Sequence, residues 1–312
     1  MHEGGGSVPA FGAHAPGSVA AWVLRRAFGE VVRRPYALRR AQKLRRFAAR
    51  MLKPLVTDPP PYDVEPWPGV RLRLDPRDNT TDRQALGRVA PWTAEDEALI
   101  ERAIASLPDG RLHYVDLGAN VGIYASHVAA LARRAGVALR AVCVEPQPLL
   151  VERLRTNLAF AGVPDEAIHP VGTGPAETST VMDVSIGWNL GKASMLAERA
   201  DSATRTLTIA CRPLAAILGD AALERVDLMK VDIEGLEVPA LSTFFRSAPA
   251  SLHPARVLIE IAHDAEGGID AMMVANGYRR THANALDAIY ELDAAPGGTG
   301  GGARVRRGTV GG

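Results

Sequence analysis

The chain has 312 residues, of which 47% are hydrophobic and 23% are charged, and its formal net charge is +1 at pH 7. This composition is typical of a globular protein with a substantial core and excludes disorder as the dominant state. The two cysteines, Cys143 and Cys211, are too few for a disulfide framework or a four-thiolate zinc site. We expect both to be core thiols of a protein in a reducing, cytoplasmic compartment.

The N-terminal part of the chain divides into a leader, residues 1–17, rich in glycine and proline, and a basic helical arm with a proline-rich linker, residues 18–68. Residues 25–53 hold eleven basic side chains against Glu30 alone. Glycine and proline interrupt the uncharged residues 4–24, and the arginines follow them, so neither a secretory signal nor a membrane-spanning helix fits.

Three interpretations of the basic arm stay open. In the first, the arm is a helix that packs on the main domain and leaves its basic face in solvent. In the second, residues 19–53 attach peripherally to an anionic membrane surface. In the third, the arm binds nucleic acid. Nucleic-acid binding is not expected, because no recognised binding module accompanies the charge.

Residues 69–296 alternate between short apolar runs and amphipathic stretches, which predicts one α/β domain. The predicted strands and helices, in chain order, are strand 70–74, helix 93–104, strand 113–117, helix 121–134, strand 139–144, helix 148–161, strand 168–171, strand 226–233, helix 236–245 and strand 257–261. This alternation indicates a parallel sheet with helices on both faces. Residues 297–312 form a glycine-rich, flexible tail.

A glycine-containing turn leaves the predicted strand 113–117 and enters the next helix. Asp116 ends the strand, Gly118 makes the turn, and Asn120 and Gly122 follow. Glycine allows the backbone to approach a ligand closely, and the helix amino terminus adds partial positive charge. In open parallel sheets the ligand lies beyond the carboxyl ends of the strands, which is where this turn is expected.

The acidic residues near this turn decide between cofactors. A dinucleotide site would read G-x-G-x-x-G, but Asn120 stands in the second glycine's place and no glycine follows at position 123. Glu145, at the end of the next strand, suits the two hydroxyls of a ribose, whereas Asp116 would repel a pyrophosphate and attract an ammonium or sulfonium. We therefore expect S-adenosylmethionine, with a nicotinamide-dependent oxidoreductase as the alternative.

The acceptor side is predicted at the end of strand 226–233. Lys230, Asp232 and Glu234 alternate along this strand and so share one face. We expect Asp232 or Glu234 to orient the acceptor hydroxyl or take its proton, with Lys230 tuning the carboxylates, although an ion pair that only neutralises the strand end would give the same pattern. His263 is the histidine best placed to act as a base. No metal site is expected, because Asp232, Glu260 and His263 lack tight ligand spacing.

The sequence resembles the FkbM family of S-adenosylmethionine-dependent methyltransferases. The resemblance is carried by Asp116-Leu117-Gly118-Ala119-Asn120-Val121-Gly122, by Glu145-Pro146-Gln147-Pro148, and by Asp227-Leu228-Met229-Lys230-Val231-Asp232-Ile233-Glu234-Gly235. It extends over about residues 86–280. Residues 187–195, with Asn189 and Ser194, also resemble a loop of the family, whereas residues 171–175 carry no acidic residue where such proteins often place one near the adenine.

The resemblance implies a Rossmann-like, seven-stranded class I methyltransferase sheet with helices on both faces. It also implies an enzyme that methylates hydroxyl oxygens of small molecules, sugars or glycans. The residues expected around the cofactor are Asp116, Gly118, Asn120, Gly122, Tyr124 and Glu145. A non-catalytic protein that uses its basic arm for interaction is a further alternative.

Overall fold

The computed structural model describes residues 10–14, 60–174, 179–186, 190, 193–194, 205–264 and 266–293. The predicted basic arm and glycine-rich tail lie outside these ranges, as does most of the predicted leader and most of the loop 187–195 with Asn189. The predicted division of the chain into domains stays a prediction.

The strands, numbered along the chain, are β1 (Tyr62–Trp67), β2 (Val70–Leu74), β3 (Arg111–Leu117), β4 (Ala138–Val144), β5 (Ile168–His169), β6 (Gly172–Thr173), β7 (Thr180–Ile186), β8 (Ala193–Ser194), β9 (Arg205–Arg212), β10 (Leu228–Val231), β11 (Arg256–Glu260), β12 (Tyr278–Ala283) and β13 (Asp287–Leu292). The α-helices are α1 (Thr80–Leu86), α2 (Ala94–Ala105), α3 (Ile123–Arg134), α4 (Pro148–Ala161), α5 (Leu214–Asp220), α6 (Glu237–Ser247) and α7 (Gly268–Ala275).

The main sheet has seven strands in the order β12-β13-β11-β10-β3-β4-β5. Strands β11, β10, β3, β4 and β5 are mutually parallel, as predicted, while β13 runs antiparallel to both of its neighbours. The antiparallel direction follows from the short connection between β12 and β13, which is long enough for a hairpin and too short for a parallel crossover. The charged strand β10 is the fourth of the seven, next to β3.

Helices cover both faces of this sheet, as the sequence predicts. One buried cluster joins α2, α3 and α4 to alternate residues of β3 and β4, such as Tyr114 and Cys143. The other cluster joins α5, α6 and α7 to the residues of β3 and β4 that point to the opposite face, such as Val115 and Val142. Residues two apart in a strand share a face, so each strand contributes to both clusters and is buried on both sides. Cys143 and Cys211 are both buried and free.

Local signals account for the helix ends nearest the site. Helix α2 begins with a capping box, in which Thr93 and Asp96 each accept a hydrogen bond from the other's backbone N–H. Helix α4 has Pro148 in its first turn and ends before Gly162, which adopts φ +77°. Both features were recognisable in the sequence, and both helices lie within a residue of their predicted bounds.

The structure differs from the predictions at three places. The predicted strand 226–233 is shorter, since β10 spans Leu228–Val231, and Asp232 and Glu234 lie after its end, Glu234 with φ +53°, so they do not share a strand face with Lys230. The predicted linker reaches residue 68, but Tyr62–Trp67 forms strand β1 and pairs antiparallel with β2. The prolines at positions 66 and 68 are compatible with a strand because β1 has a partner on one side alone in this two-stranded sheet. The predicted strand 168–171 ends at His169, and β6 belongs instead to a second sheet with the order β6-β9-β7-β8.

Candidate functional site

The turn after β3 is tightly folded and fully hydrogen-bonded. Gly118 adopts φ +78°, and a side chain at this position would overlap the carbonyl oxygen of Asp232. The N–H groups of Gly118 and Ala119 both donate to the Val144 carbonyl, and that of Gly122 donates to the Ala119 carbonyl. Glycine is therefore required at position 118 for conformation and for space.

Asn120 and Glu145 complete the turn. Asn120 has φ +52°, its N–H donates to Glu145 Oε2 at 2.9 Å, and its own Oδ1 accepts from the Val121 N–H. All five N–H groups from position 118 to 122 are thus used inside the protein. This differs from the expectation that they face the ligand. A turn of this kind offers close approach of the backbone but no free donors for a phosphate.

Asn79 supports the turn from outside the predicted site. It is fully buried, it caps α1 by accepting from the Thr81 N–H, and its Nδ2 donates to Asn120 Oδ1 at 2.8 Å. Sequence analysis missed this residue. The available signal was the run Asn79-Thr80-Thr81-Asp82, which has the spacing of a helix start.

Glu145 lies at the carboxyl end of β4 and is 6% exposed. Its Oε1 accepts from the Gln147 N–H and its Oε2 from the Asn120 N–H. Burial raises the pKa of Glu145 to about 7. An ionised carboxylate accepts about four hydrogen bonds, so about two remain for a ligand.

Asp116 lies beneath the turn and is fully buried. Neither of its carboxylate oxygens has a hydrogen-bond partner among the described residues, and the Lys230 ammonium is 3.7 Å from Oδ1. Burial raises the pKa of Asp116, and Lys230 acts in the opposite direction. A buried carboxylate with unused acceptor capacity is costly unless a cationic ligand or a partner completes it.

Lys230 lies between two acids. Its ammonium is 3.3 Å from Asp232 Oδ2, and it lies over the Tyr124 ring at 5.6 Å from the centroid. Burial acts to lower the pKa of Lys230, but Asp232 and Asp116 outweigh it and raise the pKa. Lys230 is therefore a fixed cation that links the cofactor side of the cleft to the acceptor side.

A cleft at the carboxyl edge of the sheet brings several predicted residues together. Those that line it are Gly118, Asn120, Glu145, Asp232 and Glu234. The lining residues that sequence analysis did not assign to the site are Val144, Pro146, Leu150, Gly172, Thr173, Leu190, Ile209, Ile233 and Leu236. Gly172 and Thr173 belong to β6 and Ile209 to β9, so their approach to the cleft depends on the second sheet and has no local sequence signal.

Gly122 and Tyr124 do not line the cleft. Gly122 has φ +79° at the start of α3, where a side chain would meet Leu154 Cδ1 at 2.6 Å. Tyr124 is buried, and its hydroxyl donates to Asp96 Oδ2 at 3.0 Å. A direct contact of either residue with the cofactor stays a prediction.

The acceptor side of the cleft is acidic. Glu234 adopts φ +53°, and its Oε2 is 3.3 Å from His263 Nε2. Burial, and then the carboxylates of Asp232 and Glu234, raise the pKa of Glu260 to about 8. Glu237, which is buried, holds the connecting loop by accepting from the Ile233 and Gly235 N–H groups. The predicted acceptor residues therefore do lie together.

One cluster in the described part of the chain has the spacing of metal ligands. It consists of Glu234, Glu260 and His263, and one ligand atom of each lies within 4.8 Å of the others. Sequence analysis did not expect this proximity. The 3.3 Å contact between His263 Nε2 and Glu234 Oε2 accounts for part of it without a metal.

A larger cavity, of about 440 Å³, lies at the opposite edge of the sheet between the carboxyl ends of α3 and α4. Its lining is mostly small and apolar, and Arg133, the charged residue there, already donates to the Ala161 and Gly69 carbonyls. Its lining has no acid, so the acid-lined cleft is the candidate site.

Strand β13, the last of the seven strands along the chain, is antiparallel to its neighbours, and a glycine turn flanked by strand-end acids follows β3. This arrangement defines a class I, Rossmann-like methyltransferase fold. The sequence model of the methyltransferase FkbM domain matches residues 116–280. The chain belongs to this family.

Solved structures with a similar arrangement include methyltransferases. A methyltransferase FkbM from Methylobacillus flagellatus KT is 18% identical, with a TM-score of 0.36, and the match covers 70% of this chain and 56% of that one. Magnesium protoporphyrin IX methyltransferase from Synechocystis PCC 6803, with bound S-adenosylmethionine, is 13% identical, with a TM-score of 0.33, over 62% and 76%. The cofactor-bound protein Rv0187 from MTB is 16% identical, with a TM-score of 0.39, over 66% and 82%. No curated protein matches the chain.

S-adenosylmethionine is the cofactor of the FkbM family, and the residues present fit it. Glu145 lines the cleft and has acceptor capacity for ribose hydroxyls, and Gly118 also lines it. Asp116 lies beneath the turn, fully buried and paired with Lys230, and adds negative charge close to the cleft. The cavity volume of the cleft is about 80 Å³. Pockets for ligands of this size measure ~300 Å³ or more, so the cleft as it stands is smaller than the cofactor needs.

Proposed function

We propose that this protein transfers a methyl group from S-adenosylmethionine to a hydroxyl oxygen of a small molecule, sugar or glycan. The observation that carries the cofactor side is the hydrogen bonding of the glycine turn. Its N–H groups are used internally, and the polar groups around it are carboxylates. Such a site favours a cationic adenosyl donor over a pyrophosphate, which needs free N–H donors. Family membership argues in the same direction against the nicotinamide alternative.

The acidic acceptor side supports oxygen as the methylated atom. Ionised carboxylates such as Asp232 and Glu234 are strong hydrogen-bond acceptors for hydroxyl groups. The same negative charge would hold an amine in its protonated form, which has no lone pair for attack. A neutral hydroxyl has no such penalty.

Bound S-adenosylmethionine supplies an activated methyl group, so the protein must mainly hold the acceptor in line with it. Positioning of this kind contributes ~7 to 11 kcal/mol to lowering a barrier. We assign Asp232, which is partly exposed in the cleft, to orient the acceptor O–H. The Glu234–His263 pair takes the hydroxyl proton, and Lys230 holds Asp232 in place.

The experiment is incubation of the purified protein with methyl-labelled S-adenosylmethionine and extracts of the source cell, followed by identification of the labelled compound. A methyl ether is the expected linkage. Label in an amine or a carboxyl ester would reject hydroxyl methylation, and no labelled product from any extract would favour the non-catalytic alternative.

We also propose that the protein works in the cytoplasm and that residues 19–53 contact anionic membrane surfaces peripherally. The support is the charge of this segment together with Trp22, Phe28 and Phe47 as apolar anchors. No helix in the described part of the chain is long and apolar enough to cross a membrane. Co-sedimentation with anionic liposomes should be lost with neutral lipid or at high salt. Binding that ignores salt, or no binding, would reject the contact.

A further inference from the structure

Tyr124 is expected from the sequence to contact the cofactor, but the structure joins it to the acceptor side. The residue is 8% exposed and does not line the cleft. Its hydroxyl donates to Asp96 Oδ2 at 3.0 Å, and the Lys230 ammonium lies over its ring, 5.6 Å from the centroid. Tyr124 therefore stands between a buried acid and the cation that links the two sides of the cleft.

The two acids beside Lys230 do not fix its ammonium by themselves. Asp116 Oδ1 is 3.7 Å from the ammonium, and Asp232 Oδ2 is 3.3 Å from it. Two such distances leave the ammonium free to turn about the line that joins the two oxygens, so a third contact is needed to define its place. The face of an aromatic ring attracts a cation, and the Tyr124 ring supplies that contact.

The Tyr124 ring is itself held by the start of α2. Asp96 Oδ2, which accepts the Tyr124 hydroxyl, also accepts the Thr93 N–H at 2.8 Å in the capping box. Trp92 packs edge-on against the ring, with 5.9 Å between the centroids. Burial, and then the Asp96 carboxylate, raise the pKa of Tyr124, so its hydroxyl keeps its proton and stays a donor. These contacts hold the ring in one orientation.

We propose that Tyr124 is a positioning residue, whose ring fixes the Lys230 ammonium and, through it, the Asp232 carboxylate that orients the acceptor hydroxyl. The connection runs from the capping box of α2 through Tyr124 and Lys230 to Asp232. This role on the acceptor side takes the place of the predicted contact with the cofactor. The inference rests on the proposed function, because Asp232 is assigned there to orient the acceptor.

The first test compares Tyr124→Leu, which removes the ring, with Tyr124→Phe, which keeps it. The rate is measured as label passed from methyl-labelled S-adenosylmethionine to the acceptor in cell extract. Tyr124→Leu should lower this rate about three- to thirtyfold, the strength of a buried cation–π contact, and Tyr124→Phe should stay within about threefold of the wild type. By calorimetry, both variants should bind S-adenosylhomocysteine within about twofold of the wild type.

A double-mutant cycle with Lys230→Met separates action through Lys230 from a structural role. In the Lys230→Met background, Tyr124→Leu should cause no further loss of rate, because the cation that the ring positions is gone. Tyr278→Leu is the matched control, since Tyr278 is a 2% exposed tyrosine of β12 whose hydroxyl donates to the Pro254 carbonyl. It should lower the melting temperature and leave the rate and the affinity unchanged.

NMR of the ligand-free wild type tests the ring contact without any substitution of Tyr124. The chain has four lysines, Lys43, Lys53, Lys192 and Lys230. With carbon-13 at the lysine ε position, the Lys230 signal, which is identified by its loss in Lys230→Met, should lie upfield of the other three because of the ring. It should stay there in Tyr124→Phe.

Three results would overturn the inference and leave the proposed function intact. They are S-adenosylhomocysteine binding weakened in Tyr124→Phe and Tyr124→Leu with no separate loss of rate, additive losses in the cycle, and a Lys230 signal that coincides with those of the other lysines. A wild-type protein that transfers no label to a hydroxyl would instead overturn the proposed function, whatever the NMR signal of Lys230.

Discussion

The backbone carbonyl of Asp232 occupies the space that a side chain at Gly118 would need. The turn after β3 and the end of β10 are therefore in direct contact, although they are far apart in the sequence. This contact joins the cofactor side of the cleft to the acceptor side, and Lys230, between Asp116 and Asp232, links the same two strands by charge.

Gly118→Ala should disrupt the site. The added methyl group must displace the Asp232 carbonyl, and φ +78° is unfavourable for alanine. We expect S-adenosylhomocysteine affinity to fall by more than about tenfold, along with a loss of stability of ~1 to 3 kcal/mol. Gly162→Ala is the matched control, since Gly162 has φ +77° with nothing near its missing side chain. It should lose stability but not affinity. Calorimetry and thermal unfolding measure both, and equal affinity in the two variants would contradict the contact.

Asn79→Ser should weaken cofactor binding with little effect on α1. Serine keeps an oxygen for the helix cap but lacks the separate amide nitrogen that donates to Asn120 Oδ1. We expect about a three- to tenfold loss of S-adenosylhomocysteine affinity, which corresponds to one neutral hydrogen bond. Thr93→Ala, which removes the cap of α2, should cost ~1 kcal/mol of stability with unchanged affinity. If the serine variant binds like the wild type, Asn79 does not position the turn.

Binding of 5′-methylthioadenosine should strengthen with pH between about 6 and 8. This ligand has the ribose without the amino acid, and Glu145 must be ionised to accept its hydroxyls. Because the pKa of Glu145 is raised to about 7, only about a tenth of this carboxyl is ionised at pH 6 and most of it at pH 8. Affinity should rise roughly tenfold over this interval. Glu145→Gln should bind more weakly and without this dependence. A flat wild-type profile would contradict the ribose assignment.

His263→Ala and Glu234→Gln should slow methyl transfer without weakening cofactor binding. Loss of a proton acceptor typically lowers a rate by ~10² to 10⁴. We expect kcat to fall within this range and the S-adenosylhomocysteine dissociation constant to stay within about twofold of the wild type. Glu266→Gln, an exposed residue of the same connecting segment, serves as the control. If both variants keep the wild-type kcat, the pair does not take the proton.

The elements that sequence analysis predicted correctly are those with strong local signals. The capping box at Thr93 and Asp96, the proline at position 148 and the apolar runs of β3 and β4 all act over a few residues. Strand β1 was missed because its prolines read as a linker, and pairing with β2 stabilises it. Strands β7 and β9 alternate with polar residues and depend on each other for pairing.

The candidate site shows the same division. Asp116, Gly118 and Glu145 were recognisable because each stands at a strand end within its own motif. Thr173 and Asn79 were not, since their approach to the cleft is set by the packing of β6 on β9 and of α1 on the turn. The use of the turn's N–H groups by Val144 and Glu145 also depends on a neighbouring strand and has no local signal.

A crystal structure of the protein grown with S-adenosylhomocysteine tests the central assignment most directly. We predict the ligand in the acid-lined cleft, with its ribose hydroxyls on the Glu145 carboxylate and its backbone contact at Gly118. Density for the ligand between the carboxyl ends of α3 and α4, or at any other place away from Glu145, would contradict the account.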